Sequence, residues 1–316
     1  MRALAFDGQR AALVERPDPK PSPDEALVRV SLAGVCRTDL ELVRGYMAFR
    51  GVLGHEFVGR VLDGPAEWRD QRVVGEINFA CGRCPTCARG LRRHCPQRRV
   101  MGIHEADGAF AEAVRVPVEN LHRVPDGVPD ERAVFVEPLA AAFEVLAQVE
   151  VPAGARALVL GDGKLGLLIA QVLHDAGARV TAIGRHRGKL AVLAARGIET
   201  FPGPEFHGER APIVVEATGT LSGFRRAVEL TEPRGTLVLK STVAAREPLD
   251  LAPLVIHEIS VVGSRCGPFP PALAALAAGR VDVDPLVSER IPLAHGALAL
   301  EHAARPGALK VLIDCA

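Results

Sequence analysis

The stretch RALVLGDGKLGLLIAQVLHDAGARVTAIGRHRGKL, which begins at Arg156, constrains the fold more than any other part of the chain. It reads as strand, glycine turn, helix and strand. An apolar strand from Ala157 to Leu160 runs into Gly161-Asp-Gly163-Lys-Leu-Gly166. Leu165, Leu168, Ile169, Val172, Leu173 and Ala176 then recur at helical spacing, and a second apolar strand follows from Val180 to Ile183. Alone, G-x-G-x-x-G is an ordinary tight turn. Between a strand and a helix it marks a dinucleotide-binding unit, because the glycines let the backbone approach a pyrophosphate at the helix N-terminus. Gly161, Gly163 and Gly166 are therefore candidate cofactor-binding residues. The fold class that accommodates such a unit is α/β, with a doubly wound parallel sheet. "PIVVEATG", "GTLVLKS" and "ISVVGS" supply further strands.

The end of the second strand selects the cofactor. A carboxylate there would accept the adenosine ribose 2′-hydroxyl of NAD. This chain has Gly184, followed by Arg185, His186 and Arg187. With no acidic residue in that run and two guanidinium groups available for a 2′-phosphate, the expectation is NADP(H) in preference to NAD(H). The bland alternative is a solvated basic loop.

Four of the seven cysteines, Cys81, Cys84, Cys87 and Cys95, lie in "CGRCPTCARGLRRHC". An odd total and the absence of a secretion signal argue against disulfides. The spacing departs from the bacterial ferredoxin run, which needs C-x3-C-P after its opening. Zinc, which takes four thiolates tetrahedrally, is the preferred reading; a site so filled holds a loop and performs no chemistry.

A second constellation is more scattered. In "AGVCRTDLELVRG", Cys36 sits where a strand gives way to a helix, whose N-terminus favours a thiolate. "GVLGHEFVGRV" offers His55 and Glu56, and "VFVEPLAAAFEVL" offers Glu137 at the start of an apolar helix. Singly, each has an ordinary structural reading.

Together, "GVCRTD", "GHEFVGRV", the four-cysteine lobe, "DGAFAE" and "VEPLA" occur in the order seen in the zinc-dependent medium-chain dehydrogenases, the alcohol, polyol and sugar dehydrogenase family, which the chain resembles over essentially its whole length. The resemblance implies a β-rich GroES-like catalytic domain beside a Rossmann domain. It implies a catalytic zinc held by Cys36 and His55, with Glu137 in place of the third cysteine of the alcohol branch and Glu56 as a possible alternate. It also implies that Asp39 fixes the His55 imidazole and that Thr38 contacts the substrate hydroxyl and passes its proton outward; helix capping is the competing role for both. Cofactor contacts are implied for Arg37, Lys164, Leu165, Thr218, Gly263 and Ser264. Lys240, Arg265 and Cys266 are unusual, and either recognise an anionic substrate group or face solvent. Tyr46, Met47 and Phe49 either line the pocket or pack in the core.

The expected organisation is a catalytic domain over 1–145, a nucleotide domain over 146–265 and a return to the catalytic domain over 266–316. Lys+Arg and Asp+Glu are equal at 38 each, which gives no basic field for nucleic acid or an anionic membrane. No apolar run reaches the roughly 18 residues of a membrane span. The expectations are a cytoplasmic enzyme with two zinc ions per chain, a small alcohol or carbonyl substrate and a homodimeric or homotetrameric state by family resemblance. The competing functions are a metal-free quinone or enone reductase and a zinc ribbon that binds nucleic acid.

Overall fold

The structure is a computed structural model that describes residues 1–242 and 249–316. The chain divides into two units, Met1–Glu137 with Leu286–Ala316, and Pro138–Pro285.

Among the described residues of the second unit, six strands form one parallel sheet in the order Glu199–Pro202, Arg179–Gly184, Arg156–Leu160, Ala211–Glu216, Thr231–Leu239, Ser260–Gly263. Numbered along the chain, that order is 3-2-1-4-5-6, the doubly wound arrangement whose strand order reverses beside the first strand. Leu158, Leu160, Ile183, Val214 and Leu237 belong to one buried cluster of this unit. Their near-continuous apolar runs suit a parallel sheet covered on both faces. The helix Lys164–Asp175 starts immediately after the glycine turn and buries every residue from Gly166 to Leu173.

The first unit is built on a seven-stranded sheet. Its path is Leu121–Arg123, Arg72–Gly75, Glu56–Asp63, Glu25–Gly34, Lys310–Asp314 and Val287–Pro292, and Ala113–Pro117 also pairs with Glu25–Gly34. The C-terminal strand inserts beside Glu25–Gly34 in antiparallel register, with Leu312 opposite Gly34. On the other side of Gly34 stands Glu56. The last strand of the chain thus borders the start of the second constellation. The cysteine lobe leaves this unit between the short strands Asn78–Phe79 and Arg99–Met101.

The unit boundaries differ from the expected ones. The first falls at 137/138 instead of 145/146, at the beginning of the helix Val136–Gln148. The second falls at 285/286 instead of 265/266. Residues after 265 stay with the nucleotide unit because they are tied to its first helix: Gln171 pairs with both backbone groups of Asp282, and Arg280 bonds Asp175 at 2.6 Å. These ties join residues more than a hundred positions apart, which the linear sequence does not display.

Candidate functional site

The first unit brings Cys36, His55 and Glu56 together, with one ligand atom of each within 4.8 Å of the others. Cys36 ends the approach from Glu25–Gly34 and is the N-cap of the six-residue helix Arg37–Leu42. Asp39 does two things at once. Its Oδ2 accepts the Cys36 N–H at 2.8 Å, and its Oδ1 lies 3.3 Å from His55 Nδ1. One carboxylate thus caps the helix through Oδ2 and faces the imidazole through Oδ1. Asp39 Oδ1 and His55 Nδ1 are fully buried and have no other partner. Burial alone would depress the His55 pKa, but the Asp39 and Cys36 charges outweigh it and hold it well above the ordinary value. Such a ring, backed by a carboxylate at one nitrogen and facing a thiol, fits a cation at the other. Thr38 Oγ1 lies 3.8 Å from Cys36 Sγ.

Glu56 is not idle. Its carboxylate pairs with the ammonium of Lys310, and both side chains are withdrawn from water. Lys310 also lies over the Phe135 ring, 5.4 Å from its centroid. A Cβ on Gly34 would meet Glu56 Oε2 at 2.6 Å and Lys310 Cδ at 3.2 Å, so the pair crosses the sheet only because position 34 has no side chain. Sequence reading missed Lys310 because 254 residues separate it from Glu56. Glu137 stands in the first turn of the helix Val136–Gln148, half-buried, and is not a member of the three-residue group. Phe49 is buried, whereas Tyr46 and Met47 are exposed.

The cysteine lobe gathers its four thiols as expected. Cys84 Sγ lies 3.5 Å from Cys87 Sγ and 3.8 Å from Cys95 Sγ, and Cys95 Sγ lies 3.5 Å from Cys81 Sγ. Thiolates at the zinc–sulfur distance of about 2.3 Å form a tetrahedron with edges of roughly 3.8 Å. A disulfide needs sulfurs at about 2.05 Å. The backbone N–H of Arg83 is the main donor that lowers the Cys81 thiol to about 6, while lost solvation and neighbouring sulfurs push Cys87 up to about 12. Four thiols in such contact ionise together only around a cation, so the lobe fits zinc.

In the second unit, Gly161 turns at φ 120°, where a Cβ would meet the Ala217 carbonyl at 2.5 Å. Gly163 caps the helix Lys164–Asp175 and has open space around it, as a phosphate approach requires. Lys164 opens that helix, and Leu165 beside it is half-buried. Arg185, His186 and Arg187 are exposed. The Arg187 guanidinium bonds Glu205. No acidic residue stands in the run from Gly184 to Arg187, but the space a side chain at 184 would take is filled by Asp162, whose Cβ would be 2.5 Å away. Asp162 was legible only as filler inside the glycine motif.

Thr218 donates its N–H and hydroxyl to the buried Glu216 carboxylate at 2.7 and 2.5 Å. The Gly263 carbonyl accepts from Gln148 Nε2 at 3.1 Å. Lys240 is half-buried. Its ammonium donates to the carbonyls of Ala141 and Arg265 and to Ser264 Oγ, at 2.7, 2.9 and 3.0 Å. Arg265 is exposed and Cys266 half-buried. Arg37, in the first unit, is exposed and bonds Glu41 at 2.9 Å.

Residues 22–126 match the alcohol dehydrogenase GroES-like domain, and residues 165–278 match the zinc-binding dehydrogenase domain. The chain is 29% identical to a sorbitol dehydrogenase of Halalkalibacterium halodurans, over 96% of this chain and 95% of the relative. It is similar in structure to the alcohol dehydrogenase TADH from Thermus sp. ATN1, with a TM-score of 0.91, 31% identity and 99% of each chain covered. A zinc-binding dehydrogenase of Sinorhizobium meliloti, bound to NADP, gives a TM-score of 0.91 at 28% identity and covers 99% of this chain and 98% of its own. No helix of the described residues is long and apolar enough to cross a membrane.

Proposed function

The chain belongs to the zinc-type medium-chain alcohol and polyol dehydrogenase family, and from that premise we propose the roles of its residues in hydride transfer between an alcohol, polyol or sugar, or the matching carbonyl, and a nicotinamide dinucleotide. Bound zinc supplies a Lewis acid that lowers the pKa of the substrate hydroxyl, and the nicotinamide supplies the hydride acceptor. Cys36 and His55 hold the metal. Asp39 keeps the imidazole oriented and leaves Nε2 for the ligand bond. Glu137 completes the protein ligands, because the Glu56 carboxylate is engaged by Lys310. Thr38 takes the proton of the substrate hydroxyl and passes it outward. The cysteine lobe holds a second, structural zinc, for two per chain.

The nucleotide site is built from Gly161, Gly163, Lys164, Leu165 and Gly166 for the pyrophosphate, with Thr218, Gly263 and Ser264 serving the nicotinamide end. NADP(H) is preferred over NAD(H), supported by the exposed guanidinium groups of Arg185 and Arg187. The protein works in the cytoplasm, where its thiols stay reduced. It assembles as a homodimer or homotetramer: Ser260–Gly263 is an edge strand whose Val261 is exposed, and the nearby Val255 and Ile256 are 76% and 72% exposed.

The observation that carries this reading is the convergence of Cys36 and His55, with Asp39 behind the imidazole. The test is a panel of polyols, aldoses and secondary alcohols assayed with both cofactors, alongside elemental analysis of protein purified without chelator. His55→Ala should lose one zinc and its turnover. Full turnover in that variant overturns the assignment.

A further inference from the structure

A dinucleotide fold commonly ends its second strand on the carboxylate that accepts the ribose 2′-hydroxyl. Here the strand Arg179–Gly184 ends on glycine. A Cβ built on Gly184 would lie 2.5 Å from Asp162 Cβ and 2.8 Å from its Cγ and Oδ2. A carboxylate from the neighbouring strand's turn therefore occupies the place of the strand-end side chain. The backbone explains how it gets there. The two strands pair in parallel with Leu160 opposite Ile183, and the Gly161 N–H donates to the Ile183 carbonyl at 2.8 Å. Gly161, at φ 120°, then turns the chain so that the next side chain crosses the end of the adjacent strand.

Once there, the carboxylate is held. Oδ2 accepts the N–H of Arg185 at 2.7 Å and that of His186 at 2.5 Å, and lies 2.9 Å from His186 Nδ1. The side chain is 11% exposed. Burial raises its pKa, but the His186 and Arg185 donors outweigh burial and keep it below the usual carboxylate value. All three bonds fall on Oδ2. Oδ1 keeps its acceptor capacity, at the end of the sheet that carries the nucleotide turn.

We infer that Asp162 is a specificity-determining residue of the nucleotide site: a ribose-recognising carboxylate moved from the strand end to the glycine turn. Its Oδ1 accepts the 2′-hydroxyl of an unphosphorylated adenosine ribose, and its charge opposes the 2′-phosphate that Arg185 and Arg187 attract. This rests on the dinucleotide-binding reading above. Cofactor choice is then a contest between one buried carboxylate and two exposed guanidinium groups, one of which already bonds Glu205. Asp162 keeps NAD(H) usable and sets a limit on the preference for NADP(H).

The test is calorimetric binding of ADP-ribose, 2′-deoxy-ADP-ribose and 2′-phospho-ADP-ribose to the full chain, which needs neither substrate nor turnover. In the unmodified protein, loss of the 2′-hydroxyl should weaken binding about tenfold, the effect of one charge-assisted hydrogen bond. Asp162→Asn and Asp162→Ser should weaken ADP-ribose, tighten 2′-phospho-ADP-ribose and reduce the cost of the deoxy sugar. Opposite movement of the two ligands is the signature, because damage to the turn would weaken both. Parallel weakening, no change in either, or equal binding of ADP-ribose and its deoxy form by the unmodified protein overturns the inference. That last comparison needs no variant to fold. A natural preference for ADP-ribose would remove the NADP(H) proposal yet leave the opposite shift to be seen. Failure of all three ligands to bind removes both.

Discussion

Lys310 and Glu56 form an ion pair whose side chains are 0% and 1% exposed, across the bare backbone of Gly34. Removing one partner strands a buried charge, which costs about 3–5 kcal/mol, whereas replacing both with uncharged groups of similar size costs far less. Lys310→Met should therefore lower the urea midpoint sharply, and Lys310→Met with Glu56→Gln should recover most of the loss. Equal damage in the single and double variants would show that the pair contributes packing alone.

The third zinc ligand is separable from this pair by metal content. Glu137→Gln should release one zinc by elemental analysis and abolish turnover. Glu56→Gln should retain both metals while it loses stability, because Lys310 is then buried without its counter-charge. The reverse pattern would make Glu56 the ligand.

For the cysteine lobe, Cys84→Ser should lose one zinc and lower the thermal midpoint, and the metal at Cys36 and His55 should remain. Loss of both metals at once would show that the lobe and the second constellation are not independent.

Gly184 offers a steric prediction. Gly184→Ala puts a Cβ 2.5 Å from Asp162 Cβ, so it should displace the carboxylate and destabilise the protein by about 1–3 kcal/mol, measured by denaturant unfolding. Gly184→Asp meets the same obstacle and should not convert cofactor preference cleanly. A fully stable Gly184→Asp protein would show that the turn yields more easily than its packing implies.

Replacing both Arg185 and Arg187 with Ala should weaken NADP(H) by a factor on the order of a hundred or more, with NAD(H) nearly unchanged. The basis is a contribution of about 1.5–3 kcal/mol per charge-assisted bond to the phosphate. Arg187→Ala alone should cost less than Arg185→Ala, because the Arg187 guanidinium must first leave Glu205. Fluorescence titration with each cofactor checks both statements.

The features legible in the sequence were those written in short range. The strand, glycine turn and helix around Gly161, and the four thiols between Cys81 and Cys95, each lie within one short continuous stretch, so local backbone geometry and ligand spacing suffice to read them. Cys36, His55 and Asp39 were reached through motif order, and the fold brings them together. What the linear chain concealed were meetings made by strand pairing. Asp162 reaches Gly184 because parallel register sets Leu160 opposite Ile183. Lys310 reaches Glu56 because the last strand pairs beside Gly34. The second unit boundary lies twenty residues later than expected because Asp282 and Arg280 bond the helix Lys164–Asp175. Side-chain period and composition carry no record of which strand will lie beside which. Only the folded sheet decides that, and with it which buried charges find a partner and which carboxylate fills the end of the second strand.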